Sequence, residues 1–282
     1  IISSFAKNMG IKVLIGGAGG DDVFSGYRRH QALLLNSKLD YLPRYLIKML
    51  SSLIQDIPFS HTKIRRLKKF SRDWGVDDFD QLLGYFNWLP SNHFVFEMFS
   101  NKSLSKILDY NPYSYGKKIL SECSVMSKLD QLLVLEQKTF LIDHNLNYTD
   151  KLSMVEGVEA RVPYLDFDLV KLAGHIPQNM KMKNNIPKYI LKKVAEKYLP
   201  KDVINRSKTG FGAPVKELMK NEFTNLISKD LSKENIEKDG IYNYPVIEKM
   251  IMDNNRGKAD YSYNILSLLS IQSWLKQFPW TI

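Results

Sequence analysis

The sequence predicts an α/β chain in which helices far outnumber strands, and three observations carry that prediction. One β-branched apolar run, from Ile11 to Ile15, stops at a cluster of glycines. The residues that follow the cluster switch to steps of three and four. Most apolar positions from there to the C-terminus keep that step.

The run Ile11-Lys12-Val13-Leu14-Ile15 has the composition of a buried strand, and Gly16, Gly17, Gly19 and Gly20 mark a tight loop at its end. After Asp21 and Asp22, the residues Val23, Phe24, Tyr27, His30, Leu33 and Leu34 recur at helical spacing, so strand, glycine turn and helix follow in order. Further helices are expected over about 39–55, 61–72, 77–87, 101–109 and 114–122. A Leu-rich stretch over about 126–147 reads as one long helix. Shorter helices are expected near roughly 150–156, 166–174, 187–198, 213–219, 244–254 and 261–276. No internal repeat, biased tract or long linker interrupts this pattern, so residues 1–282 read as one continuous domain. A lone strand would leave ladder groups unpaired in a core, so its neighbours are expected to precede residue 1, as the back end of a parallel α/β domain. Ile1-Ile2-Ser3-Ser4-Phe5 has neither an initiator Met nor a signal-peptide pattern, and position 1 reads as a truncation.

At 282 residues the chain can bury a sizeable core, and 44% hydrophobic content with a mean hydropathy of -0.27 argues for a folded, water-soluble protein. No apolar run approaches the roughly 20 residues that cross a bilayer. Cys123 is the one cysteine, which excludes an internal disulfide and fits a reducing, cytoplasmic setting. It reads as a buried thiol. The five histidines show no zinc-site spacing. A formal net charge of +10 favours an anionic partner. The densest basic cluster, Lys63 to Arg72, reads as the solvated face of a helix, and no nucleic-acid module is recognisable, so nucleic acid is not the expected partner.

The turn Gly16-Gly17-Ala18-Gly19-Gly20-Asp21-Asp22 carries the chemistry. Small residues between strand and helix let backbone N–H groups approach an anion at the positive end of the helix, which suits a phosphate or nucleotide. Asp21 and Asp22 there can cap the helix or hold Mg²⁺ against polyphosphate oxygens. The turn lacks the Lys-Ser or Lys-Thr of a Walker A loop and the G-x-G-x-x-G spacing, so another nucleotide fold is required. Elsewhere, Glu159 and Arg161 sit two apart in an extended stretch and point to the same side, to pair with each other or to face a substrate. Asp150 and Asp166 read as helix N-caps. Arg28 and Arg29 follow the turn closely and either reach a phosphate or an acidic partner domain or lie on a solvated helix face. Trp274, Phe278 and Trp280 form an aromatic tail.

Four stretches, in order, make the chain resemble the asparagine synthetase family, in the ATP-using half of the glutamine-hydrolysing enzymes. Val13 to Tyr27 is similar to the family's L-S-G-[ED]-G-[GS]-D-E-x-F-x-G-Y motif, and Asp150-Lys151-Leu152-Ser153-Met154 to its D-[RK]-x-S-M helix start. Gly157 to Asp166 is close to its E-x-R-x-P-[FY]-L-D signature, and Lys208-Thr209-Gly210-Phe211-Gly212-Ala213-Pro214 to its K-x-G-F-x-x-P loop.

The resemblance implies an adenine-nucleotide α-hydrolase-like (PP-loop ATPase) fold, helix-dominated here because N-terminal strands are missing. It implies that residues 1–282 are the C-terminal part of the synthetase domain. It further implies that ATP with Mg²⁺ adenylates the aspartate side chain and that ammonia released from glutamine by a separate N-terminal domain displaces AMP. By position, Gly16, Gly17, Gly19 and Gly20 would contact ATP, Asp21 would lie by Mg²⁺ and pyrophosphate with Asp22 as a second ligand, and Lys208 would offset the charge of the leaving pyrophosphate. Asp150, Glu159 and Arg161 are carried over as substrate-facing or structural residues. No membrane partner is expected, and a homodimer is left open.

Two departures are visible. Ala18 stands where the family places a carboxylate tied to acyl-adenylate formation and to the incoming ammonia. The family's S-G-G-x-D-S pyrophosphate loop and an N-terminal cysteine nucleophile do not occur in the 282 residues. Ala18 keeps open a relative that amidates another carboxylate, on a sugar or a secondary metabolite. A binding protein with a decayed nucleotide site is the reading from a different class.

Overall fold

The structure, a computed structural model, describes residues 1–57, 62–87, 96–107, 109–206 and 214–278. Helices dominate, as the 3.6-residue period requires. The chain divides into two compact units, where the sequence suggested one continuous body: Ile1–Asp56 with Arg66–Tyr85 and Pro112–Ser207, and Ile57–Arg65 with Phe86–Asn111 and Lys208–Ile282.

The first unit holds the sheet. Strand β1, Val13–Ile15, pairs in parallel with β2, Glu159–Arg161, in the register Val13 to Glu159, Leu14 to Ala160 and Ile15 to Arg161. The expected lone strand therefore has a neighbour within the chain. β1 is not the buried run its composition suggested, since Val13 is 39% and Ile15 77% exposed. The chain between them is helical over most of its described residues, as a long parallel connection allows.

The helix Lys128–Lys138 is the centre of that connection. Ser127 caps it, its hydroxyl accepting from the Asp130 N–H at 3.2 Å. Leu129, Leu132, Leu133 and Leu135 are buried along it, and it packs on Ser114–Glu122, Arg28–Asn36 and Gly20–Phe24. The expected long helix over 126–147 is broken after Lys138. Thr139 leaves helical geometry at φ -131° and ψ -84°, and its hydroxyl returns to the Leu135 carbonyl at 2.6 Å. A π-helical stretch, Phe140–Leu146, follows, then an α-helix, Asn147–Met154.

The second unit is a cluster of helices around Ile236, Ile247, Met250, Ile265 and Leu268. The long helix Ser262–Gln277 packs against Val215–Lys220 and Thr224–Asp230. Thr224–Asp230 and Lys233–Asp239 were not anticipated, because each carries only one fully buried apolar residue, Ile227 or Ile236, and so shows no period. The aromatic tail is half-exposed, with Trp274 and Phe278 ring centroids 5.6 Å apart, and Trp280 lies outside the described residues.

Candidate active site at the glycine turn

β1 ends at Ile15, and the next N–H, that of Gly16, still donates to the Arg161 carbonyl at 2.7 Å. The chain then turns through Gly19 at φ 87°, a left-handed conformation that suits glycine. A Cβ on Gly19 would overlap Leu165 Cδ2. The turn Pro163–Leu165 directly after β2 is thus wedged against the glycine turn, with Tyr164 edge-on to Phe24 at 6.3 Å. The sequence signature around Glu159 and the glycine motif are two halves of one structure. Gly17 faces the other way, with no atom within 4 Å of where its Cβ would stand, so a ligand can approach the backbone there.

The helix after the turn differs from expectation. Gly20–Phe24 is five residues long and is closed by Ser25 at φ 63°, before a second helix, Arg28–Asn36. Gly26 is required at the break, because a Cβ there would overlap the Asp21 carboxylate. So short a helix carries little macrodipole, and the electrostatics of the site rest on side chains.

Asp21 and Asp22 diverge, as neighbours on a helix do. Asp21 is half-buried and pairs with Lys188, Nζ to Oδ1, at 2.9 Å. Asp22 is 1% exposed and accepts from the Tyr27 hydroxyl at 3.2 Å. Burial, reinforced by the charge of Glu136, pushes the Asp22 carboxyl up from the ordinary 3.8 to about 6, against the pull of Tyr27 and Arg29. Burial and the Asp22 charge push the Tyr27 phenol up as well. Asn145 donates to the Tyr27 oxygen at 3.0 Å, and Gln137 donates to the Asp22 carbonyl at 3.2 Å.

Below them lies a fully buried carboxylate, Glu136, paired with the Arg29 guanidinium and with His30 Nε2 at 2.8 Å. The His30 Nδ1 accepts from the Tyr27 N–H at 3.3 Å, which places the ring proton on Nε2, facing Glu136. Arg29 also lies over the Tyr27 and Phe140 rings, 4.2 and 4.8 Å from their centroids. Arg29 therefore takes neither of its expected roles, and Arg28 stays exposed.

For Mg²⁺, the inward setting of Asp22 does not fit a ligand role, which corrects that expectation. Asp21 fits as a single carboxylate that could share the ion with phosphate oxygens. Among the described residues no group of three His, Cys, Asp or Glu side chains could hold a metal. Glu159 and Arg161 pair with each other at 2.9 Å and are exposed. Asp166 is an N-cap, accepting from the Asp168 and Leu169 N–H groups at 3.1 Å. Asp150 is not one: it lies inside Asn147–Met154 and lines an open groove with Ile142, Asp143, Leu146 and Asn147. Lys208 and the loop through Ala213 lie outside the described residues. Cys123 is buried, and burial pushes its thiol up.

Lys188 is the site residue that sequence reasoning missed. It precedes the helix Tyr189–Ala195 in a left-handed conformation, φ 53°. A cation at a helix N-terminus opposes the dipole unless something pairs with it, and that mismatch was the available signal.

The sequence profile described as asparagine synthase matches residues 1–276. The chain belongs to the asparagine synthase family. It is 29% identical to the asparagine synthetase [glutamine-hydrolyzing] 1 of Bacillus subtilis over 272 residues, 94% of this chain and 40% of that protein. A putative asparagine synthetase [glutamine-hydrolyzing] of Mycobacterium bovis is 22% identical over 275 residues, 94% of this chain and 39% of its own length. The amidase chry2 of Gibberella zeae is 30% identical over 114 residues, 38% of this chain and 17% of its own. The chain thus spans about two-fifths of the length of the first two of these relatives. No solved structure matches. No described helix is long and apolar enough to cross a membrane.

Proposed function

We propose that the protein, at its full length, is an asparagine-forming ligase of the PP-loop ATPase fold, with residues 1–282 as the C-terminal part of its synthetase domain. An aspartate side-chain oxygen attacks the α-phosphorus of ATP and pyrophosphate leaves. Ammonia from glutamine, hydrolysed by an N-terminal domain of the same polypeptide, then attacks the acyl carbon and AMP leaves. The observation that carries the reading is the glycine turn, pinned by Leu165 at Gly19, open at Gly17 and flanked by the Asp21–Lys188 pair. Gly16, Gly17, Gly19 and Gly20 form the backbone cradle for the phosphates. Asp21 would hold Mg²⁺, which supplies charge neutralisation on the polyphosphate. Lys188 is then released from Asp21 to face the phosphates, and Lys208 is assigned, on the motif resemblance alone, to offset the charge of the leaving pyrophosphate. The setting is cytoplasmic.

The test is aspartate-dependent pyrophosphate release from ATP by the full-length protein, which Lys208→Ala should abolish. A rate within about threefold of wild type would remove Lys208 from this role.

A second reading is favoured by Ala18, which puts a methyl group where the motif this turn resembles has a carboxylate, and by the likeness to an amidase over part of the chain. In it the acceptor carboxylate belongs to another molecule, such as a sugar or a secondary metabolite. Ala18→Glu separates the two readings: it raises asparagine synthesis under the first and leaves asparagine absent under the second.

A further inference from the structure

From Tyr41 to Arg72 the chain carries eight Lys and Arg against a single Asp, a surplus of seven out of the net +10. The glycine turn uses none of it. The carboxylates nearest in sequence are already engaged, Asp40 and Asp78 by Lys128, Asp73 by Arg72 and Asp80 by Lys117.

The helix Arg44–Asp56 shows what this charge accompanies. Its inner side is fixed within the first unit: Ile47 and Ser51 are buried, the Ser51 hydroxyl donates to the Ser71 carbonyl at 2.7 Å, and the Gln55 amide donates to the Lys68 carbonyl at 2.9 Å. The opposite side therefore turns outward. Tyr45, Met49 and Leu53 follow there at steps of four and are 70%, 53% and 59% exposed, with Tyr41 one step earlier at 92%. Exposed Leu42 and Leu50 widen the stripe, and exposed Arg44 and Lys48 stand on the same helix.

An exposed apolar stripe of this extent marks an interaction surface. A second copy is disfavoured, because pressing two such faces together brings two surpluses of positive charge together. Nucleic acid would answer the charge, but its phosphates offer no apolar partner to Met49 and Leu53. A bilayer rich in anionic lipid answers both. Its headgroups attract Arg44, Lys48 and the basic run that follows, and the boundary of its acyl chains takes the stripe, with Tyr41 and Tyr45 at headgroup level, where Tyr is favoured.

We propose that the helix Arg44–Asp56 lies flat on an anionic lipid surface through Tyr45, Met49 and Leu53, with Arg44, Lys48 and the basic run supplying the electrostatic attraction. At 13 residues the helix is too short to cross a bilayer, so the contact is peripheral and reversible. The inference does not depend on the ligase reading. No membrane partner was expected from the sequence, because an apolar stripe at helical spacing reads the same whether a core or a bilayer covers it.

The experiment is cosedimentation of the full-length protein with vesicles, made of equal parts phosphatidylglycerol and phosphatidylcholine or of phosphatidylcholine alone. At about 1 mM lipid most of the protein should pellet with the anionic vesicles, at least about tenfold more tightly than with phosphatidylcholine alone, and less at high salt. Met49→Ser should weaken this binding about tenfold, and Lys48→Glu by more than about tenfold. Met49→Ser should also leave the melting temperature of the full-length protein unchanged. A drop of several degrees would mean that another part of the polypeptide already covers the stripe, and would overturn the proposal. Failure to pellet with anionic vesicles, or equal pelleting with both compositions, would overturn it too. A dimer that Met49→Ser dissociates would assign the face to a second copy. Binding of a DNA or RNA oligonucleotide without any vesicle binding would assign the charge to nucleic acid.

Discussion

Asp21 and Asp22 are neighbours in sequence and opposites in setting. Asp21 is half-buried beside the open backbone of Gly17 and holds an exchangeable partner, Lys188. Asp22 is sealed from water and bound to Tyr27 above the Glu136 carboxylate, which itself holds Arg29 and His30. The outward face of this short helix has charges that can be redirected to a ligand. The inward face has charges already committed to one another, in surroundings where an unpaired group is costly. The comparison teaches that one turn of chain can be both a site and an anchor, and that substitutions on its two faces should fail in different assays.

The largest effect is expected at the anchor. Glu136→Ala leaves the Arg29 guanidinium buried without its carboxylate and His30 without its acceptor, and should destabilise the fold by about 3–5 kcal/mol in denaturant titration. A loss below about 1 kcal/mol would mean that the inward cluster is not an anchor.

Next in size is a gain. The Asp22 carboxyl rises from 3.8 to about 6 on folding. The folded state therefore binds this proton more tightly than the unfolded state, and the contribution of Asp22 is most favourable below pH 3.8 and is lost as pH rises through about 6. The difference is about 2 units, or roughly 3 kcal/mol. Asp22→Asn keeps an acceptor for the Tyr27 hydroxyl and removes the charge, so it should stabilise the protein by up to roughly 3 kcal/mol above pH 6, and by little near pH 3. A gain of equal size at both pH values would show that burial of charge is not what distinguishes Asp22 from Asp21.

How far these two faces could be read from sequence follows from what each depends on. The glycine turn was legible because a change of period and a run of small residues are local signals, and Gly19 stands where they place the turn. β2 was read only as an extended stretch, since Glu159-Ala160-Arg161 is three residues long and mostly charged, and it is a strand only because β1 lies beside it. The break after Lys138 was hidden because Thr139 is an ordinary residue in a Leu-rich run, and only its bond back to Leu135 shows the disruption. Arg29 was misread for a similar reason: an arginine next to a glycine turn looks like a polar helix face until Glu136 is brought under it, whereas His30 was placed on the apolar stripe and is buried. Asp166 was read correctly as a cap because capping acts within three residues.

At the hinge between the two faces, Gly19→Ala forces a side chain into a left-handed turn against Leu165, at a cost of about 1–3 kcal/mol. The same change should weaken nucleotide binding in the full-length protein, because Leu165 must move and carry the turn with it. Normal binding with reduced stability would place the ligand away from Gly19.

The smallest change in stability is expected at Lys188, and it tests the outward face directly. The pair with Asp21 is about a quarter to a third exposed, so breaking it with Lys188→Met should alter stability by less than about 1 kcal/mol. Asp21 is left beside solvent and can be hydrated, unlike Arg29 after loss of Glu136. In the full-length protein the same substitution should lower kcat for pyrophosphate release more than it raises the KM for ATP, because a cation that answers charge developing on the leaving group acts most strongly in the transition state. A destabilisation comparable to that of Glu136→Ala, with kinetics unchanged, would make Lys188 part of the anchor, and the division between the two faces of the helix would fall.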